Sequence, residues 1–90
     1  IIVLDIKGRL DTANARDFSI AIQPLLQEDK PNIIVNCEQM SYISSSGLRC
    51  FLILQKSVQK NQGSLIIEAM RPEIKNIFEM TGCTSLFNIR

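Results

Sequence analysis

Apolar residues fall along the chain in short blocks separated by turn chemistry, and the blocks alternate between two periods. The first, Ile1-Ile2-Val3-Leu4-Asp5-Ile6, is rich in β-branched residues and leads into Gly8, with Leu10 continuing the pattern beyond the glycine. That run predicts a strand over Ile1–Leu10. Asp11-Thr12 then offers N-cap chemistry, and Ala15, Phe18, Ile22 and Leu25 recur at three- and four-residue spacings, so a helix is expected to follow. Pro24 falls inside that stripe, forfeits the hydrogen bond to Ile20, and predicts a kink or a second short helix.

After Lys30-Pro31 the block Asn32–Cys37 holds Ile33, Ile34 and Val35 in succession, the pattern of a central strand covered on both faces. Cys50-Phe51-Leu52-Ile53-Leu54 would suit a strand or a helix, but the length of Leu48–Lys60 and its polar tail favour a helix, with Gly63 closing it. Leu48, Phe51, Leu52, Gln55 and Val58 share one face of that helix. Leu65–Glu68 predicts another strand. Pro72 and Glu73 open a helix carrying Ile74, Ile77 and Phe78, Gly82 ends it, and Leu86–Ile89 predicts a last strand. The order βαβαβαβ with short connections implies a single α/β domain, a mostly parallel four-stranded sheet with helices packed on it. Its expected buried set includes Val3, Ile34, Val35, Phe51, Leu52, Ile66, Ile77 and Phe78.

Composition narrows the chemistry. Ninety residues, 46% hydrophobic, form one core with a stability of roughly 5–13 kcal/mol. There is no histidine and no tryptophan, which removes Ser-His-Asp and Cys-His nucleophile pairs, HExxH zinc sites and CxxCH haem attachment. Ten basic and nine acidic residues, with no run of like charge, give neither a nucleic-acid footprint nor a polybasic membrane patch. No apolar run approaches the ~20 residues that cross a bilayer, so direct membrane insertion is not expected. Cys37, Cys50 and Cys83 are odd in number, form no CxxC and sit in apolar stretches, as buried thiols in a reducing cytoplasm do. The chain starts on Ile and already reads as strand there, so it is expected to lie within a longer protein.

Four glycines, at Gly8, Gly47, Gly63 and Gly82, make no GxGxxG or GxxxxGK loop, and the one adjacent acidic pair, Glu28-Asp29, falls at an expected helix end. No nucleotide or other cofactor is implied. The dense constellation is Ser41-Tyr42-Ile43-Ser44-Ser45-Ser46-Gly47-Leu48-Arg49, running from the end of a buried strand into the apolar helix. One serine suffices to cap a helix; three in a row leave two without that explanation, and both a capping and a functional reading stay open. A nucleophilic serine would need a base, and no SxxK spacing follows any of the three. A serine modified by another enzyme needs only exposure and a setting that tolerates phosphate, which a helix N-terminus provides. Arg49 lies one helical turn after Ser45 and is placed to pair with such a phosphate.

The run Ile34 to Leu48 resembles the central signature of STAS domains, the anti-sigma factor antagonists and their relatives: a hydrophobic strand, a short loop, then Asp-Ser-Ser-Gly-Leu opening a helix. Gly8-Arg9-Leu10-Asp11 is similar to the family's Gly-x-Leu-Asp element, and Pro72 to Gly82 resembles its third helix. By this resemblance Ser45 holds the position of the phosphoacceptor, with Ser46, Gly47 and Leu48 following it. Asp11, Ser44, Ser46, Gly47 and Arg49 are then the expected partner-binding residues. Ser44 stands where the antagonists usually carry Asp, and Asn36 where an Asp often ends the preceding strand. A strand before Ile1 and a helix after the last strand, usual in the family, are expected to be absent from this chain. The resemblance implies no enzyme but a partner-switching regulator. It would bind an anti-sigma factor with serine kinase activity and be released by phosphorylation of Ser45. The alternative is a scaffold module of a transport or signalling complex in which the serines only cap the helix.

Overall fold

The computed structural model describes all of residues 1–90. Six strands and four helices alternate along the chain: β1 Ile2–Asp5, β2 Gly8–Leu10, α1 Ala15–Ala21, α2 Gln23–Leu26, β3 Asn32–Asn36, β4 Met40–Ile43, α3 Ser45–Lys60, β5 Ser64–Glu68, α4 Pro72–Met80 and β6 Asn88–Ile89. A 3-10 turn at Thr84–Leu86 precedes β6. The main sheet has four parallel strands in the order β1-β3-β5-β6, as the alternation of elements implied. Pro24 does begin a separate helix, α2, rather than merely bending α1.

Three expectations are corrected. Ile1–Leu10 is two strands, not one. Gly8 adopts φ 75°, a left-handed conformation that costs a side chain-bearing residue energy but suits glycine. The chain turns there, out of the main sheet. The bend is shared: Ile6 N donates to Asn36 O at 3.1 Å and Gly8 N to Gln39 O at 2.8 Å, so β1 and β3 leave together and re-pair as β2 and β4. These two form a second, parallel, two-stranded sheet with Arg9 opposite Tyr42 and Leu10 opposite Ile43. The strand β4 was not anticipated, because Met40-Ser41-Tyr42-Ile43 buries only its two end residues and so shows no alternation.

The second correction concerns β3, which is central but covered on one face only. Ile33, Val35 and Cys37 are buried, together with Leu65 and Ile67 of β5, whereas their neighbours Ile34 and Ile66 are half-buried and Val3 is 57% exposed. Val3, Ile34 and Ile66 are register partners, so this is one face of the pleat that the helices leave uncovered. Third, Leu52 and Ile77, expected inside, are half-buried. The face α3 buries runs through Leu48, Phe51, Leu54 and Val58, with Leu54 in the place expected of Leu52. At the centre, Phe51 is ringed by Phe18, Phe78 and Phe87 with centroids 5.8, 5.9 and 6.5 Å away, in the tilted and edge-on arrangements aromatic rings prefer.

Candidate functional site at the start of α3

The second sheet exists at the place where the serine run begins. Its strand β4 delivers the chain directly into α3, and the close approach of three backbones there is set by Gly47. A Cβ on Gly47 would stand 2.9 Å from Leu10 O and from the side chains of Leu10 and Ile43. Only glycine lets the first turn of α3 sit this tightly on β2 and β4. Gly47 is therefore buried, and shapes the site rather than contacting anything outside it. Ser44 N donates to Leu10 O at 2.9 Å and fixes the entry.

The three serines divide their work. Ser44 is the N-cap: its backbone is extended, its Oγ accepts from Gly47 N at 3.2 Å, and its carbonyl accepts from Leu48 N at 2.9 Å. Ser45 is the first helical residue and is exposed; Ser46 is half-buried, its Oγ 3.5 Å from the Thr12 hydroxyl. With Ser44 serving Gly47, the N–H groups of Ser45 and Ser46 make no hydrogen bond within the protein. Two free donors thus lie at the positive end of a 16-residue helix, where Ser45 is the first residue. Arg49 is exposed one turn along the same helix and forms no ion pair.

Asp11 lies at the same end. Its Oδ1 accepts from Ala13 N at 3.0 Å and Asn14 N at 3.3 Å, while Asn14 Oδ1 accepts in return from Asp11 N at 2.8 Å. This reciprocal pair is a capping box in form, and it caps the turn that leads into α1. The expected capping by Asp11 is present, although regular helix starts only at Ala15. The Thr12–Ser46 contact brings this loop beside the serines. The sequence pattern offers Thr12 only as cap chemistry and gives Arg9 and Tyr42 no role at the site. Arg9 lies over the Tyr42 ring at 4.4 Å from its centroid, and that pairing depends on a strand the pattern did not reveal.

No part of Ser41–Arg49 lines the two recesses of about 170 and 410 Å³. Ser45 is exposed outside both recesses, which suits a macromolecule or a modifying enzyme more than an enclosed small molecule. The cysteines are free and buried; desolvation pushes the Cys37 thiol up to about 12 and raises that of Cys50, so neither offers a reactive thiolate.

A family model described as the STAS domain matches residues 1–90. The chain belongs to the STAS domain family. This STAS domain is 30% identical over 82 residues to an anti-sigma-B factor antagonist of Staphylococcus aureus, a match covering 91% of this chain and 76% of that one. Among solved structures it is similar to the anti-sigma factor antagonist SpoIIAA in its unphosphorylated form. The TM-score is 0.81 at 21% identity, covering 98% of this chain and 77% of the other. The phosphorylated form of SpoIIAA, a Bacillus cell fate determinant, superposes with a TM-score of 0.74 at 21% identity, over 98% of this chain and 80% of the other. At that identity the structures speak for the fold. No helix of this STAS domain is long and apolar enough to cross a membrane.

Proposed function

We propose that this STAS domain is an anti-sigma factor antagonist that works by partner switching. In its unmodified form the surface around Ser45 binds an anti-sigma factor with serine kinase activity, and phosphate placed on Ser45 by that kinase ends the binding. The observation that carries the reading is the position of Ser45: exposed, first in α3, not needed for the cap, and flanked by two backbone N–H groups without partners. The curated antagonist from Staphylococcus aureus and the two phosphorylation states of SpoIIAA support it by likeness.

The physics of the modification follows from that position. A phosphate adds about −1.5 to −2 charges. Within this domain the charge meets the dipole of α3 and the free donors, so the fold tolerates it. Against a partner surface the same charge must be desolvated, and about 2.7 kcal/mol is enough to weaken binding a hundredfold. The role is one of binding; the buried free thiols fit a reducing cytoplasm. A second reading, a non-phosphorylated scaffold module of a transport or signalling complex, draws on Ser44, which caps the helix and stands where the antagonists usually have Asp. Incubation with labelled ATP and the anti-sigma factor of the same organism separates the two. The switch predicts label on Ser45 that Ser45→Ala abolishes; absence of label, or label retained in that variant, supports the scaffold.

A further inference from the structure

The second sheet carries a single charged side chain, Arg9, and the structure holds it in an unusual way. Its guanidinium carbon lies over the Tyr42 ring, 4.4 Å from the centroid, and its Nε donates to Asp11 Oδ2 at 3.4 Å. That is its only hydrogen bond. The two terminal nitrogens, with four of the five N–H donors, have no acceptor in the protein, and the side chain is 62% exposed. Arginine on a surface ordinarily samples many rotamers; here a ring and a carboxylate on two sides favour one placement and leave the terminal nitrogens open to solvent. The Asp11 contact is long and exposed, so it orients the group more than it neutralises it.

A guanidinium fork without protein acceptors on its terminal nitrogens fits one chemistry best, a carboxylate bound through two parallel N–H···O bonds. Arg9 is opposite Tyr42 in register, two residues from the cap Ser44, and tied to Asp11, whose loop touches Ser46. It is thus part of the surface assigned above to the partner. Resting on that assignment, we propose that Arg9 determines partner specificity: its fork, held ready by Tyr42, takes an Asp or Glu side chain of the anti-sigma factor. Tyr42, 37% exposed, supplies an apolar flank beside the ion pair. Pre-ordering spares the complex much of the entropy that fixing an arginine costs.

The test measures association and dissociation of the anti-sigma factor of the same organism, with and without ADP, against the parent domain and Arg9→Ala, Arg9→Lys, Arg9→Glu and Tyr42→Leu. All four changes are on the surface, and unchanged melting curves confirm folding. A fork on a carboxylate predicts at least tenfold weaker binding for Arg9→Ala and about a hundredfold for Arg9→Glu. Arg9→Lys keeps the charge, so it should associate at the parent rate and dissociate faster. Tyr42→Leu should also dissociate faster. One Asp or Glu to Lys change in the anti-sigma factor should restore Arg9→Glu. Variants within twofold of the parent would overturn the proposal, as would losses seen only with ADP present, which would assign the fork to a nucleotide phosphate. Ser45→Asp is run alongside: if it abolishes binding while the Arg9 variants bind normally, the switch stands and this inference falls. A parent domain that does not bind at all brings down both.

Discussion

Asp11 has two separable properties, an oxygen that accepts from Ala13 and Asn14 and a negative charge beside the serines. Asparagine keeps the first and removes the second. Asp11→Asn is expected to change stability by no more than about 0.5 kcal/mol, whereas Asp11→Ala loses the cap and costs about 1 kcal/mol, both read from denaturant midpoints. If Asp11 serves the partner surface, the asparagine variant binds the anti-sigma factor more weakly at full stability. Cys37 makes a different kind of prediction. Its thiol is fully buried and pushed up from 9.0 to about 12 by desolvation. The native state therefore holds that proton while the unfolded chain releases it, so the associated stability is complete below about pH 9 and declines as pH rises from there toward 12. Unfolding free energies measured from pH 7.5 to 11 should fall more steeply for the parent than for Cys37→Ala. Parallel slopes would show that Cys37 does not contribute.

At the scale of elements, Gly47 decides how α3 meets the second sheet. An alanine there places its Cβ 2.9 Å from Leu10 O, a backbone atom that cannot swing aside, so α3 must shift. Gly47→Ala is expected to cost about 1–3 kcal/mol and to displace the Ser44 N to Leu10 O hydrogen bond, seen as chemical-shift changes concentrated at Leu10 and Ser44–Leu48. What was legible in the sequence divides along the same lines. The four parallel strands, the Pro24 break and the α3 start were readable because β-branched runs, a missing N–H and a serine cap act locally. The β2–β4 pair was not: its formation depends on two distant bends occurring together, at Gly8 and after Asn36, and neither three-residue β2 nor β4 shows a period. Burial at Val3 and Ile34 was overestimated for a related reason. A β-branched run marks a strand, but only the placement of the helices says which face is covered. The resemblance pointed to Ser45 and Asp11 as candidates; the Arg9–Tyr42 pairing needed the second sheet.

For the molecule as a whole, one aromatic cluster ties helices to sheet. Phe51 is 1% exposed and touches rings from α1, α4 and the segment before β6, so Phe51→Ala removes contacts to three other parts of the fold at once. A loss of roughly 3–5 kcal/mol is expected in chemical denaturation, a large share of the total for a 90-residue domain. The serine surface lies at one end of α3, away from this cluster's load, and that separation lets the site change charge while the core stays as it is. Phosphorylation should accordingly leave the melting temperature nearly constant. The central claim, that one hydroxyl at the start of α3 sets partner affinity, is met most directly by titrating the anti-sigma factor with the unmodified, Ser45-phosphorylated and Ser45→Ala domains under one set of conditions. The account predicts that the unmodified and alanine forms bind alike and the phosphorylated form at least about a hundredfold more weakly, with all three equally stable. Equal affinity of the phosphorylated and unmodified forms would contradict it.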